Sequence, residues 1–185
     1  VCHKIILSHL ARCFHISSSR QAFTRLANNL IRLAEHFQSS RNADALEEVS
    51  RVLINLPMDD AQKIGQYYQA IAIKGRGQIE KARLLLETIA NDAPTVYRTR
   101  AIQFLGTVCR EQGEVDESLR LQLEALKAVP DNTPGWQAKL MVHMEVSISR
   151  SVLGDHKGAL ASFENLSPLV RLVSQYNPYF YYSYH

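Results

Sequence analysis

The stretch that decides the fold is GRGQIEKARLLLETIANDAP, residues 75–94, because EQGEVDESLRLQLEALKAVP, residues 111–130, repeats its pattern. When Gly77 and Gly113 are aligned, each is followed by a small residue five places later and by a proline seventeen places later. Self-similarity at a fixed period is the signature of a repeat architecture. The repeated residues therefore need a common structural explanation.

Each part of the pattern has a role in a pair of antiparallel helices. A glycine at the turn permits the positive φ that often follows the end of a helix. Positions five, nine and twelve after it lie on one face of the next helix, where a small first residue lets a neighbouring helix approach closely. Pro94 or Pro130 then ends that helix, because proline lacks the amide N–H and clashes with the preceding turn.

Two further copies follow the same order less completely. One starts at Ser40 and ends at Pro57, and the other starts at Gly154, with Pro168 earlier than the pattern requires. The spacings from turn to turn are then 37, 36 and 41 residues. Seven residues before the turn, the copies after the first again have a small residue: Ala70, Gly106 and Ser147.

This pattern resembles the tetratricopeptide repeat, a helix–turn–helix unit of about 34 residues. The matching residues are Ala70/Gly77/Ala82/Leu86/Pro94, Gly106/Gly113/Ser118/Ala125/Pro130 and, less completely, Ser147/Gly154/Ala159/Phe163. The resemblance covers about residues 20–170, but the consensus tryptophan is replaced by Gln66 and Ile102. It implies an all-α fold of the α-α superhelix class, a right-handed solenoid of antiparallel helix pairs. Other helical-hairpin repeats stay open.

We expect three segments along the chain. Residues 1–18 form an N-terminal helix or extension, residues 19–177 form the repeat array, and residues 178–185 start a truncated further repeat. The array contains about four helix pairs: 19–57, 59–94, 95–130 and 133–168. The first 34 residues contain no Asp or Glu, which is also typical of an organellar transit segment. We favour a basic helical end, because the acid-free run continues into the repeats.

Composition narrows the class of protein. The longest apolar runs are far shorter than the roughly 20 residues that span a bilayer, so no membrane contact is expected. The net charge of +3 is a mild excess that fits an acidic partner without requiring nucleic acid. Three cysteines do not form a disulfide framework, which favours a reducing compartment and a cytoplasmic location.

The resemblance implies a non-catalytic scaffold that binds a protein or peptide segment, without a cofactor. In this family the first helix of each pair lines a concave groove, three, six, ten and thirteen residues before the turn. The candidate groove residues are Tyr67, Lys74, Arg100, Gln103, Thr107, Arg110 and Met144. The same offsets, counted from Ser40 in the first copy, select the apolar residues Ala27, Leu30, Ala34 and Phe37.

The chemistry of these candidates suits an acidic partner. Lys74, Arg100 and Arg110 could hold carboxylates, arginine in a bidentate way. Tyr67 could stack on a ligand side chain, and Met144 could adapt to an irregular apolar surface. A solvated helix face for the cations and a role in core packing for the methionine are the open alternatives.

Other functions have weaker support in the sequence. No nucleophile elbow, phosphate loop or metalloprotease motif occurs, so we expect no enzyme. His9 and Cys13 fall within a ligand-rich segment, Cys2–His15, but no second ligand cluster closes a metal site there.

Two alternatives stay open beside the scaffold. An RNA-binding helical-repeat protein would need basic residues at equivalent positions in successive copies, and only Lys74 and Arg110 are equivalent. A structural repeat domain could instead self-assemble into a homo-oligomer through the aromatic C-terminal end, around Tyr179, Phe180 and Tyr182.

Overall fold

The computed structural model describes residues 20–92, 95–129, 133–168 and 170–171, and no strand occurs within these ranges. Its helices are α1 (Arg20–Ser39), α2 (Ala43–Ile54), α3 (Asp59–Gly75), α4 (Ile79–Asp92), α5 (Thr95–Glu111), α6 (Val115–Ala128), α7 (Thr133–Val152) and α8 (His156–Glu164). The helices pack in consecutive pairs. The expected extension over residues 1–18 and the truncated repeat over 178–185 lie outside the described residues.

The turns within the four helix pairs share one backbone geometry. Gly77, Gly113 and Gly154 have φ values of 78°, 85° and 80°. The N–H of Gly77 donates to the Lys74 carbonyl at 2.8 Å, and the next N–H donates to the Ile73 carbonyl at 3.2 Å. The same two bonds recur at the other turns, which makes each one a Schellman motif. This geometry explains the glycines that the repeat pattern identified.

The first turn corrects one sequence-based assignment. Its positive-φ residue is Arg41, with φ of 54°, and not Ser40. The Arg41 N–H donates to the Gln38 carbonyl, and the following N–H donates to the Phe37 carbonyl, as in the other turns. The spacings become 36, 36 and 41 residues. The repeat pattern could not distinguish the two registers, because the first copy has no glycine at this position.

The shift by one residue also makes the apolar groove predicted for the first copy wrong. Ala27, Leu30 and Ala34 are 5%, 0% and 0% exposed, so they belong to the core. Counted from Arg41, the groove positions of α1 are instead Asn28, Ile31, Glu35 and Gln38, which are exposed or half-buried. A shift of one residue turns a side chain by about 100° around a helix, which exchanges one face for another.

The chain divides into two compact units, residues 1–97 and 98–185. In the first unit α2 packs against α1 and α3, and α3 packs also against α1 and α4. In the second unit α7 packs against α6 and α8. The fully buried side chains include Leu46 and Tyr68 in the first unit and Val108 and Val142 in the second.

The positions that follow the turns form the predicted helix interfaces. Six side chains lie five, nine or twelve residues after Gly77 or Gly113. Each of them is at most 2% exposed: Ala82, Leu86, Ile89, Ser118, Gln122 and Ala125. After Gly154, Ala159 and Leu166 are buried, but Phe163 is 62% exposed. The pattern therefore holds in all but one position of these three copies.

Side chains fix the start of several helices. The Asn42 side chain accepts a hydrogen bond from the Ala45 N–H at 3.1 Å, and Asp155 accepts one from the Gly158 N–H at 2.9 Å. Both satisfy amide groups that have no partner within the first helical turn. Arg76, in the turn after α3, donates to Asp44 and Glu47 of α2, and the Asp44 hydrogen bond raises the pKa of the guanidinium.

Two expected absences concern only part of the chain. Among the described residues, no helix combines the length and the hydrophobicity that a membrane crossing requires. In the same residues, no group of three histidine, cysteine or acidic side chains is placed to hold a metal ion. The ligand-rich segment from Cys2 to His15 lies outside them.

Candidate binding surfaces

The first unit contributes Tyr67 and Lys74 to the predicted groove, and both lie on α3. Tyr67 is only 4% exposed, and its ring contacts Tyr68 and Tyr97 edge-on, with centroid distances of 5.2 and 5.8 Å. Edge-to-face contacts of this kind stabilise packed aromatic clusters. Lys74 is half-buried in the last turn of α3, where a cation complements the helix dipole. Tyr67 is therefore a packing residue of α3. Lys74 is the half-buried cation that α3 offers to the predicted groove.

The second unit brings four of the predicted residues onto one face of α5. They are separated by three, four and three residues, and all four are half-buried: Arg100, Gln103, Thr107 and Arg110. Spacings of three and four keep side chains on the same side of a helix. The Thr107 hydroxyl donates to the Gln103 carbonyl at 3.3 Å. We call this set the α5 face.

Arg110 on the α5 face already has a carboxylate partner within the second unit. Its Nη2 lies 3.0 Å from Oε2 of Glu145 on α7, and the two side chains are 24% and 16% exposed. The Arg110 Nε is buried, with no hydrogen-bond partner among the described residues. Burial strengthens the attraction between the two charges and also raises the cost of removing them from water, and the pair joins α5 to α7.

Sequence reasoning missed Glu145, although a signal was present. Glu145 lies nine residues before its turn glycine, where the two preceding copies have the aromatic residues Tyr68 and Phe104. A carboxylate at an otherwise aromatic position indicates a buried cation nearby. Arg110 is one of two half-buried arginines in the preceding helix pair, with Arg100.

Met144, the remaining candidate, lines an open groove between α7 and α8 of about 360 Å³. We call it the end groove and define it by six residues: Met144, Ser147, Ile148, Ser151, Val152 and Phe163. Ile148, Val152 and Phe163 are 40%, 61% and 62% exposed. Phe163 was predicted to be buried in a helix interface, so its exposure in this groove differs from the sequence prediction.

The six residues that define the end groove include no cationic side chain. Burial lowers the pKa of His143, and repulsion from Lys139 lowers it further. Arg150 is held by the Gly158 carbonyl and the Ser162 hydroxyl, at 2.9 and 3.0 Å. The chemistry of the end groove is apolar, and that of the α5 face is polar and basic.

The comparisons with known proteins bear on the fold alone. No protein-family model and no curated protein matches the chain. A solved structure described as "MamA RS-1 ArsTM double mutant" is similar over 91% of this chain and 94% of that chain, with a TM-score of 0.52 and 18% sequence identity. This likeness supports a tetratricopeptide-like fold. The all-α class of antiparallel helix pairs predicted from the repeats is confirmed.

Proposed function

We propose that the protein is a non-catalytic interaction scaffold that binds a protein or peptide segment on its helix pairs. The observation that carries the proposal is the α5 face, where four polar or basic side chains are partly exposed along one side of a helix. Helix pairs stacked in this way offer extended surfaces for recognition. We propose a cytoplasmic location as well, because three cysteines do not form a disulfide framework.

The partner segment that suits the α5 face is acidic and extended. Arg100 supplies guanidinium donors that match a carboxylate, and Gln103 supplies both an amide donor and a carbonyl acceptor. Lys74 adds a separate cation on α3. Met144 lines the end groove between α7 and α8 and offers an apolar surface in the same unit. Tyr67 supports α3 from the core.

The Arg110–Glu145 pair argues against the RNA-binding alternative. That alternative depends on Lys74 and Arg110 as equivalent cations in successive copies, and Glu145 neutralises the second of them. A cation held by a carboxylate contributes little to the phosphate contacts that dominate RNA affinity. In the scaffold, the same pair holds Arg110 in position between α5 and α7.

The test is a capture experiment with the purified chain as bait in a lysate, read by quantitative mass spectrometry after nuclease treatment. We compare the wild type with Arg100→Glu combined with Gln103→Ala. Arg110 is left intact, because a second carboxylate beside Glu145 would disturb the α5–α7 contact. We expect one or a few proteins to bind the wild type and to be lost with the double variant.

Lys127→Glu is the matched control, because it makes the same charge change at an exposed position on α6. It should retain the captured proteins, and circular dichroism should show equal helicity for all three proteins. Equal capture by the wild type and the double variant would remove the α5 face from the binding site.

A further inference from the structure

The buried polar side chains of the described residues are distributed unequally between the two units. The first unit has Ser50, whose hydroxyl donates to the Glu47 carbonyl within α2 at 2.8 Å. In the second unit the buried polar side chains are Thr99, Ser118, Gln122, Ser149 and Ser162. A hydrogen bond in a folded protein contributes only modestly to stability, because folding exchanges it for bonds to water. Helix contacts that depend on such bonds are therefore weaker than apolar ones of the same size.

Two polar contacts join α7 to the α5/α6 pair. The hydroxyl oxygens of Ser118 on α6 and Ser149 on α7 lie 3.2 Å apart, and both residues are fully buried. The other contact is the ion pair between Arg110 on α5 and Glu145 on α7, at 3.0 Å. We call the boundary that these four residues define the polar seam.

The corresponding boundary in the first unit, where α3 packs against the α1/α2 pair, is apolar. Counted from the turns, the two serines of the polar seam correspond to Leu46 on α2 and Ala72 on α3, which are 2% and 1% exposed. The carboxylate of the seam corresponds to the fully buried aromatic residue Tyr68. Burial of apolar surface is the main favourable contribution to such contacts. The α7/α8 pair is therefore held less firmly at this boundary than α3 is in the first unit.

The closed seam also leaves a charged group incompletely satisfied. The Arg110 Nε is buried without a hydrogen-bond partner among the described residues, since the ion pair uses Nη2. A buried donor without an acceptor costs free energy, and that cost disappears when water reaches the group. Separation of α7 from α5 would hydrate both the Arg110 Nε and the Glu145 carboxylate. The free-energy difference between the closed and the open seam is therefore small for a buried helix contact.

Three other hydrogen bonds hold α7 and α8 together. The Ser147 hydroxyl donates to the Ala159 carbonyl at 2.9 Å. The Arg150 Nη1 donates to the Gly158 carbonyl and to the Ser162 hydroxyl, at 2.9 and 3.0 Å. All three lie within the α7/α8 pair, so a separation at the polar seam breaks none of them. Units of local opening often coincide with such supersecondary motifs.

We propose that the α7/α8 pair separates from the α5/α6 pair at the polar seam as one cooperative unit, at a free energy below that of global unfolding. The closed seam pairs Arg110 with Glu145, and the open seam releases this guanidinium to the α5 face. The seam is thus a conformational switch for the charge on that face. The opening itself is independent of the proposed function, and only its effect on partner binding rests on it.

The test is native-state hydrogen exchange of the 185-residue chain, read by mass spectrometry of peptic peptides. We expect the slowest amides of α7 and α8 to exchange together, with protection about tenfold or more below that of the slowest amides in α2 and α5. Their protection should also fall less steeply with urea, because opening of one helix pair exposes less surface than global unfolding. Protection of α7 equal to that of α5, or fast exchange confined to α8, would overturn the proposal.

A disulfide across the polar seam tests where the opening occurs. In Ser118→Cys combined with Ser149→Cys, the two thiols replace hydroxyls that lie 3.2 Å apart, and their oxidation should lock α6 to α7. The oxidised protein should show α7 protection raised about tenfold or more, and reduction should restore the exchange of the wild type. If the disulfide forms, as measured by mass, and α7 exchanges as before, the opening does not occur at the seam.

Glu145→Ala weakens the polar seam without requiring a disulfide. Because Arg110 loses its partner, protection of α7 and α8 should fall several-fold while that of α2 stays the same. Ser50→Ala is the matched control, since it removes a buried hydroxyl that bonds within α2 and should leave the exchange of α7 unchanged. An equal loss of protection in α2 and α7 of Glu145→Ala would show that α7 exchanges by global unfolding, which contradicts the proposal.

Discussion

At the scale of single residues, Arg41 shows how much of the repeat depends on the backbone alone. Among the described residues it is the non-glycine residue with positive φ, at 54°, and it forms the same two turn hydrogen bonds as the glycines. The left-handed region costs an L-residue about 1–2 kcal/mol, because Cβ approaches a carbonyl oxygen. The turn geometry is therefore imposed by the helix pair even where the residue disfavours it.

We predict that Arg41→Gly stabilises the protein by up to about 1 kcal/mol, because glycine adopts this conformation without steric cost. The measurement is the free energy of unfolding in urea. Gly113→Ala is the reverse control, since a Cβ at Gly113 would meet no atom within 4 Å and only the φ of 85° opposes it. It should destabilise the protein by about 1 kcal/mol. Lower stability of Arg41→Gly would mean that the arginine side chain stabilises the turn.

At the scale of helices, the contact between α5 and α6 pairs a residue without a side chain, Gly106, with a large one, Gln122. Gly106 faces Gln122, and a Cβ at Gly106 would lie 2.6 Å from the Gln122 Nε2. That Nε2 donates to the Gln103 carbonyl at 2.9 Å, while the buried Oε1 has no hydrogen-bond partner in the described part of the chain. At the equivalent positions the preceding pair has Ala70 and Leu86, both fully buried.

We predict that Gly106→Ala destabilises the protein by about 1–3 kcal/mol through overpacking. Gln122→Leu should change stability by less than about 1 kcal/mol, because the lost hydrogen bond is offset by removal of an unsatisfied buried oxygen. The two together recreate the pairing of Ala70 with Leu86. A double-mutant cycle in urea should therefore show favourable coupling of about 1 kcal/mol. Additive effects would show that the side chains do not determine the helix separation.

At the scale of the whole molecule, the small net charge of +3 leaves binding to depend on a few local side chains. The cations of the α5 face are Arg100 and Arg110, and Arg110 is paired with Glu145. Counterion release makes nucleic-acid binding fall steeply with salt, in proportion to the number of phosphates contacted. A protein segment held by one or two carboxylates and by apolar contacts depends on salt far less.

We predict that capture of the partner falls only modestly when salt is raised from about 50 to 200 mM, a range over which several phosphate contacts would cost orders of magnitude in affinity. The readout is the amount of captured protein at each salt concentration, with and without nuclease. A steep loss with salt, together with release by nuclease, would favour RNA over a protein partner. Lys127→Glu should follow the wild type throughout.

The sequence alone determined the helix pairs, the three glycine turns and the buried positions that follow them. These features depend on local rules: a turn needs positive φ, a helix repeats about every 3.6 residues and proline ends it. Ala82, Leu86 and Ser118 were placed correctly because their burial follows from their distance to a turn. The first copy failed by one residue because Arg41 occupies a turn position that a glycine marks in the other copies.

Only the tertiary structure decided which side chains of these helices stay accessible. Tyr67 is buried by Tyr97, thirty residues away, and Arg110 is neutralised by Glu145, thirty-five residues away. Phe163 is exposed because its neighbours on α7 and α8 leave an open groove beside it. Such contacts join residues that are remote in the chain, and a repeat pattern describes each helix pair without stating what packs against it. The sequence therefore predicts the positions of the helices, and the packing between them selects the surface that can bind.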